Sequence, residues 1–189
     1  MRAQLRIVAG TLRGRRLNYI VEGGLRPTPD MVRQALFSIL GNAVPGRIFF
    51  DLFAGTGAVG FEALSRGASP VEFVERDPRT AAAIIKHGQA FGVADLARVH
   101  KADVYRWVER WRAPAEPVTI FLGPPFSDLE NRPEALLLGL GDLQQKAASG
   151  SVLALQSEKT FVADHLLGQP GWDHRHYGRN QLAIWVKES

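Results

Sequence analysis

The chain has 189 residues, of which 46% are hydrophobic and 22% are charged. This length fits one domain with a short appendage, and the balance is that of a globular protein with a substantial core. The absence of cysteine excludes disulfides and cysteine-ligated metal sites. No run of about 18 apolar residues and no apolar secretory signal is found, so we expect a cytoplasmic protein outside the membrane.

Positive charge is concentrated at the start of the chain. The formal net charge is +4, and the basic residues are five lysines and eighteen arginines. In the first 26 residues a single acid, Glu22, opposes six arginines, namely Arg2, Arg6, Arg13, Arg15, Arg16 and Arg26. Arginine grips phosphate with a planar fork, so this basic arm suggests a polyanionic partner. The alternative is a solvated basic face without a partner.

The first 45 residues are predicted to form a hairpin and a helix. Residues 5–8 and 17–20 read as two short strands, with Gly10 and Gly14 between them. Thr28 suits the N-cap of a helix and Pro29 its first position, and apolar residues then recur at helical spacing up to Gly41. We predict that 1–45 is an appendage and that 46–189 is the main domain.

Strands and helices alternate after this point. Helices are predicted at 58–66, from the pair Asp77-Pro78 onward, and after Asp103. The predicted strands are 48–50, 71–75, 98–101, 118–122, 151–156 and 181–187, the last paired with the segment near Trp172. Repeated strand–helix units predict an α/β fold with a mostly parallel sheet and helices on both faces.

A glycine loop, residues 51–60 (Asp-Leu-Phe-Ala-Gly-Thr-Gly-Ala-Val-Gly), follows the first buried strand. Gly55 and Gly57 let the backbone turn sharply and approach a ligand, and the helix that follows offers free N–H groups. The same spacing with Gly60 also fits a dinucleotide, and a turn without ligand is a further alternative. Asp51 favours S-adenosylmethionine, because a carboxylate can hold its amino group but gains nothing from a pyrophosphate.

Acids follow the next two predicted strands. Glu75 ends the strand 71–75, where an acid can accept both hydroxyls of a ribose. Asp77 is the rival, but Asp77-Pro78 is better explained as an N-cap and first helical residue. Asp103 could accept from an adenine amino group or serve as an N-cap, and the sequence leaves both open.

The histidines do not suggest a metal site. His174 and His176 alternate, yet no acid at metal-ligand spacing accompanies them, so roles on the surface or on a sheet face are expected. We therefore predict no metal.

The chain resembles the RsmD family of 16S ribosomal RNA guanine-N2 methyltransferases. The resemblance rests on motifs that run through most of the sequence and weakens after Phe126. The stretches Arg-Pro-Thr and Glu-Ala-Leu-Ser-Arg-Gly are more specific to the family than the glycine loop. The matching segments are 6–10 with 13–17, 25–30 with Arg33, Ala35, Leu36 and Phe37, 51–60 and 62–68.

The resemblance implies a Rossmann-like methyltransferase with a seven-stranded sheet, S-adenosyl-L-methionine as cofactor, and ribosomal RNA or the small subunit as partner. It implies direct in-line methyl transfer without a metal, and we expect a monomer. Cofactor binding is assigned to Asp51, Phe53, Ala54, Gly55, Thr56, Gly57, Glu75, Arg76 and Asp103. Catalysis is assigned to Gly123, Pro124, Pro125 and Phe126, and RNA binding to Arg6, Arg13, Arg15, Arg16 and Arg26.

One residue departs from the family pattern. The family usually has Asp-Pro-Pro followed by Phe or Tyr, whereas this chain has Gly123 in place of the acid. The acid normally accepts an N–H of the target amine, together with a carbonyl near the first proline, while the aromatic residue stacks on the base. Three interpretations stay open: carbonyls and positioning suffice, Asp128 reaches into the site, or catalysis is impaired.

Two other functions compete with methyl transfer. An impaired copy would be a non-catalytic RNA-binding or ribosome-assembly factor, which Gly123 favours. An NAD-dependent oxidoreductase would use Gly55, Gly57 and Gly60, but it explains neither Asp51 nor the basic arm.

Overall fold

The computed structural model of the protein describes residues 2–21, 27–158 and 171–188. At its start, β1 (Arg2–Arg6) and β2 (Arg16–Ile20) form an antiparallel hairpin. The first strand ends two residues earlier than the predicted 5–8. Ile7 still pairs with Gly14 and Arg15. The chain then leaves the hairpin because the N–H groups of Val8 and Ala9 donate to the Glu62 carboxylate, at 2.8 and 3.0 Å.

Helix α1 (Asp30–Leu40) follows, and Gly41 caps its C-terminus as predicted. The prediction of Thr28 as the N-cap is wrong. Pro29 occupies the cap position, and no side chain caps the helix. The Thr28 hydroxyl instead donates to Oε1 of Gln156 at 2.7 Å, so a tertiary contact has replaced the local one. A short 3₁₀ turn (Gly41–Ala43) leads on to the sheet.

The central sheet has seven strands in the order β5-β4-β3-β6-β7-β9-β8. The first five strands of that order are parallel, β9 is antiparallel to β7, and β8 is antiparallel to β9. The predicted pairing of the last strand with the Trp172 segment is confirmed. The strands are β3 (Phe49–Leu52), β4 (Val71–Glu75), β5 (Ala97–Lys101), β6 (Thr119–Leu122), β7 (Val152–Glu158), β8 (Trp172–Tyr177) and β9 (Asn180–Val186).

In the part of the chain that the structure describes, five further helices pack around this sheet. They are α2 (Ala58–Ser65), α3 (Pro78–Phe91), α4 (Val104–Arg110), α5 (Phe126–Asn131) and α6 (Pro133–Lys146). Neither α5 nor α6 was predicted from the sequence. Their pattern is interrupted by Arg132, and Pro133 then restarts a helix at its first position, so no single long helical period is visible across 126–146.

Strand alternation divides the core into two clusters, one on each face of the sheet. Phe49, Phe73 and Ala154 point to the side that carries α1, α2 and α3. Phe50 and Leu155 point to the side that carries α4, α5 and α6. Helices therefore cover both faces, as predicted. Because β3, β4, β6 and β7 are parallel, their carboxyl ends meet at one edge, where ligands bind in such folds.

The loop between β1 and β2 is docked on α2. Thr11 N–H donates to the Ser65 carbonyl at 2.8 Å, and Leu12 N–H donates to Ser65 Oγ at 2.9 Å. Gly10 has a φ of +81°, and a Cβ at this position would lie 1.7 Å from the Ser65 carbonyl oxygen. Only glycine therefore permits this close approach of the loop to the helix.

Replacing Gly10 with alanine should displace the loop and lower the free energy of unfolding by about 1–3 kcal/mol, because the clash and the left-handed backbone act together. Gly14→Ala is the matched control. Its φ is +86°, yet a Cβ there would contact nothing within 4 Å. Chemical denaturation of both variants checks this, and equal destabilisation would show that backbone strain alone, not docking, limits the position.

Among the described residues, no helix is long and apolar enough to cross a bilayer. The division into an appendage at 1–45 and a domain at 46–189 stays a prediction, although α1 shares its core cluster with β3 and α2.

Candidate active site

A cleft of about 840 Å³ opens at the carboxyl edge of the sheet. Its walls come from the ends of β3, β4, β6 and β7, the start of α4 and the strand β2 of the hairpin. Twelve of the thirteen predicted cofactor and catalytic residues line this cleft. They are Asp51, Phe53, Ala54, Gly55, Thr56, Glu75, Arg76, Asp103, Gly123, Pro124, Pro125 and Phe126.

Gly57 does not line the cleft. It caps the N-terminus of α2 with a φ of +74°, and a Cβ there would lie 3.2 Å from both Ile84 and Phe61. Gly60 lies in the first turn of the helix, where a Cβ would lie 2.2 Å from the Phe73 ring. These two glycines therefore shape the loop and let α2 pack closely on β4, rather than forming the wall of the site.

Asp51 is a buried carboxyl at the floor of the cleft. Only 1% of the residue is exposed, and its Oδ2 accepts the N–H of Gly60 in the first turn of α2 at 2.8 Å. Burial raises the pKa of Asp51 to about 8; the Gly60 bond opposes this shift, and the Glu75 carboxylate adds to it. A buried acid of this kind is poised to take a cationic partner.

Glu75 fixes the glycine loop against the end of β4. Its Oε2 accepts Gly55 N–H and its Oε1 accepts Asp77 N–H, both at 2.8 Å. Each carboxylate oxygen can accept more than one hydrogen bond, and the side chain borders the cleft. Glu75 can thus hold the loop and still accept from hydroxyl groups of a ligand.

Asp77 and Asp103 both cap helices. Asp77 accepts Thr80 N–H at 2.8 Å at the start of α3, and this bond lowers the pKa of Asp77. Its predicted N-cap role is confirmed. Asp103 accepts Tyr105 N–H at 3.1 Å and Arg106 N–H at 3.3 Å at the start of α4. Asp103 also lines the cleft, so its predicted contact with an adenine stays a proposal.

The Gly-Pro-Pro-Phe motif connects β6 to α5. Gly123 N–H donates to the Leu52 carbonyl at 3.2 Å, and Pro125 then occupies the N-cap of α5. Asp128 lies inside this helix, 4% exposed, and accepts the Tyr105 hydroxyl at 3.0 Å. It does not line the cleft, so the structure does not support the interpretation in which Asp128 replaces the missing acid.

Sequence reasoning missed an aromatic support beneath the loop. Phe53 has a φ of +62°, a left-handed backbone that costs a non-glycine residue about 1–3 kcal/mol and is often found at functional sites. Its ring meets Tyr105 edge-on at 5.6 Å, and the Arg132 guanidinium covers the Tyr105 ring at 4.0 Å. Burial and the bond to Asp128 raise the pKa of Tyr105. No feature of the sequence predicts the left-handed backbone of Phe53.

The hairpin that carries the basic arm contributes to the cleft wall, but its described arginines do not. Arg6, Arg13, Arg15 and Arg16 are exposed, but the cleft itself is lined by the β2 residues Asn18, Tyr19 and Ile20. Arg26 lies outside the described residues. The hairpin rests on α3, since Asn18 N–H donates to Nε2 of His87 at 3.2 Å. Arg15 lies over the Phe91 ring at the C-terminal end of α3, at 5.9 Å, and the loop that carries Arg13 is docked on the C-terminal end of α2. None of the four described arginines lines the cleft.

Comparison with known proteins identifies the family. The family model described as Conserved hypothetical protein 95 matches residues 5–186. A Bacillus subtilis protein, YlbH, which carries a provisional rRNA methyltransferase name, is 32% identical over 187 residues, covering 97% of this chain and 99% of the relative. The chain belongs to this family, the RsmD family.

Two further relatives support the assignment to the RsmD family. Ribosomal RNA small subunit methyltransferase D of Escherichia coli is 37% identical over 123 residues, which are 65% of this chain but only 61% of that relative. The solved Escherichia coli protein yhhF, described provisionally as a methyltransferase, superposes with a TM-score of 0.79 at 27% identity over 98% of this chain and 99% of its own.

A more distant RNA methyltransferase from Salinibacter ruber, solved with S-adenosyl-L-homocysteine, has a TM-score of 0.60 at 19% identity over 87% of this chain and 95% of its own, and it shows the fold alone. The structural comparisons confirm the predicted fold class, and the family and its named relatives confirm the prediction of a methyltransferase. The same comparisons argue against an NAD-dependent oxidoreductase.

Proposed function

We propose that this member of the RsmD family uses S-adenosyl-L-methionine to methylate the exocyclic N2 amine of a guanine in small-subunit ribosomal RNA. The observation that carries the proposal is the buried carboxyl of Asp51 at the floor of a strand-end cleft, in a chain whose relatives carry rRNA methyltransferase names. The choice of guanine N2 and of the small subunit rests on the family and on those names.

The residues present fit this cofactor. The cleft volume lies within the range of about 300–1,000 Å³ that is usual for ligand pockets. Asp51 would take the ammonium group, and Glu75 would accept from the ribose hydroxyls. Asp103 would border the adenine together with Arg76. The cofactor supplies a methyl group that is already activated on a sulfonium, so neither a metal nor a covalent enzyme intermediate is required.

The chain's own contribution is then orientation. The lone pair of an exocyclic amine is delocalised into its ring, so acceptors that take its N–H groups favour the geometry needed for attack. Pro124 and Pro125 lack N–H donors. The Pro125 carbonyl accepts Asp128 and Leu129 N–H at the start of α5, so the carbonyl of Gly123 or Pro124 would be the main-chain acceptor, and Phe126 can stack on a flipped base. Holding the reactants in line can supply roughly 7–11 kcal/mol, and the proton released from the amine passes to water.

A non-catalytic RNA-binding or assembly role is the second candidate, and Gly123 is the observation that favours it. The buried Asp51 and the bonded Glu75 weigh against it, because a protein without cofactor has no use for a buried carboxyl whose ionisation is costly.

The experiment incubates the protein and cofactor with small-subunit particles that lack base methylation, digests the RNA and separates the nucleosides by mass spectrometry. We expect N2-methylguanosine at one position. A methyl group on another base or on a ribose would overturn the substrate assignment, and cofactor binding without any methylated product would favour the second candidate. Large-subunit particles serve as the control.

RNA binding should depend strongly on salt. If Arg6, Arg13, Arg15 and Arg16 contact phosphates, each contact should contribute about 0.7–0.9 to the slope of log affinity against log salt concentration. Replacing Arg13 and Arg15 together with glutamine should therefore reduce that slope by about 1.5 in a filter-binding titration. Arg175→Gln, on β8, is the control, and an unchanged slope in the double variant would refute the phosphate contacts.

A further inference from the structure

One end of the cleft lies apart from the residues proposed to hold the cofactor. Beyond the Gly-Pro-Pro-Phe motif, the wall is continued by Thr28, Gln156 and Asn180. Asp51, Glu75 and Asp103 lie at the ends of β3 and β4 and at the start of α4, so they leave this end to the methyl acceptor.

Gln156 lies beside Gly123. Strands β6 and β7 are paired in parallel with Leu122 opposite Leu155, so the next residues of the two strands are neighbours, about 4.8 Å apart across the sheet. Ala154 packs on the α1–α3 face and Leu155 on the other. Strand alternation therefore places Gln156 on the α1–α3 face, the face to which Phe121 also points.

The amide of Gln156 is held from two sides. Its Oε1 accepts the Thr28 hydroxyl at 2.7 Å, and its Nε2 donates to Asn180 Oδ1 at 3.2 Å. Thr28 is itself fixed, because the buried Arg33 donates to its carbonyl at 3.2 Å. A carboxamide offers two acceptor lone pairs and two donors, so these bonds leave one of each for a ligand.

From this placement we infer that Gln156 contacts the target purine and supplies the side-chain acceptor for its exocyclic amine that Gly123 does not. The inference rests on the proposed function. The missing acid is thus replaced from the neighbouring strand, with Thr28 and Asn180 as positioning residues. A carboxylate is not required for this task, because an amide oxygen also accepts an amine N–H.

The test compares Gln156→Leu with Gln156→Glu, measuring kcat and KM for methyl transfer to small-subunit particles and the Kd for S-adenosylmethionine. We expect Gln156→Leu to lower kcat roughly 10- to 100-fold with the cofactor Kd unchanged, the effect of one lost hydrogen bond at the reacting group. Gln156→Glu keeps an acceptor and should stay within a few-fold of the wild type. Gln89→Leu, on the exposed side of α3, is the control for the same chemical change.

Gly123→Asp separates a base contact from a structural role. A Cβ at Gly123 would lie 3.1 Å from Cε1 of Phe121, so the ring must move by a few tenths of an ångström, and thermal unfolding verifies that the variant folds. Added to Gln156→Leu, Gly123→Asp should restore kcat at least tenfold because it supplies the lost acceptor. If Gln156 served only to hold Thr28 and the start of α1 in place, this second substitution would not restore kcat. No rescue, or a wild-type kcat in Gln156→Leu, would overturn the inference while leaving the proposed function intact. Cofactor binding without transfer by the wild type would overturn both.

Discussion

Asp51→Asn is expected to weaken S-adenosylmethionine binding at least 100-fold and, at the same time, to stabilise the empty protein. The carboxylate is the group that would pair with the ammonium of the cofactor, and removing one partner of a buried charge pair costs about 3–5 kcal/mol. Asparagine has the same shape and can still accept the N–H of Gly60. The loop geometry should therefore survive, and the loss should be one of charge.

The stability gain follows from the direction of the pKa shift. Asp51 has a pKa of about 8 in the folded protein against an ordinary value of 3.8. At any pH between these two pKa values, the folded state therefore binds more protons than the unfolded state. Stability therefore falls as the pH rises through this window. The variant escapes this loss, and its Tm should exceed that of the wild type by several degrees at pH 8 and by less at pH 5. Asp95→Asn, on the surface, is the control.

Cofactor affinity should show the complementary pH dependence. Binding needs an ionised Asp51 and a protonated amino group, whose pKa in a free α-amine is about 8. Wild-type affinity should peak near pH 8 and fall by up to about tenfold per unit below pH 7, as measured by calorimetry at a series of pH values. The residual affinity of Asp51→Asn should not change between pH 6 and 7. A wild-type Kd that is constant from pH 6 to 8 would contradict this role of Asp51.

Glu62→Gln is expected to cause the largest loss of stability, about 3–5 kcal/mol, because it leaves a buried guanidinium without its buried counter-charge. The Glu62 side chain is 1% exposed and that of Arg33 is 0% exposed, with Oε2 3.6 Å from Arg33 Nε. Glu62 also accepts Val8 and Ala9 N–H and the Arg66 guanidinium. It therefore joins the arm, α1 and α2, and thermal unfolding should show a Tm roughly 10 °C lower.

Glu72→Gln is the matched control for this buried carboxylate. Its side chain is 11% exposed, and its partners Arg98 and His100 are 62% and 41% exposed, so solvent screens them and the loss should be about 1 kcal/mol or less. Limited proteolysis of Glu62→Gln should also cut the loop between β1 and β2 faster than in the wild type. Equal Tm shifts in the two variants would show that Glu62 is not the anchor of the arm.

The strands β3, β4 and β6 were predictable from sequence because they are buried on both faces and read as short apolar runs. The prediction for β4 matches the structure residue for residue, and those for β5 and β6 match within one residue. The caps at Asp77 and Asp103 were predictable because their donors lie two or three residues away. The cleft at the strand ends was predictable because parallel strands end at the same edge of the sheet. Twelve of the thirteen residues predicted for cofactor binding or catalysis line it.

The predictions that failed concern residues whose partners lie far away in the chain. Thr28 was expected to cap α1, but it bonds to Gln156, which lies 128 residues away. The end of β1 is set by Glu62, and a charged residue in a helix is normally assigned to the surface. The left-handed backbone of Phe53 could not be predicted, because phenylalanine has no preference for that conformation. Each of these features is a tertiary contact that overrides a local rule, which pattern reasoning cannot anticipate.

Calorimetric titration of the wild-type protein at pH 8 decides whether the cleft at the ends of β3, β4 and β6 holds S-adenosylmethionine. We expect binding at one site per chain, retained by Gln156→Leu and lost by Asp51→Asn. No heat and no thermal stabilisation at millimolar cofactor, or equal binding by Asp51→Asn, would contradict it.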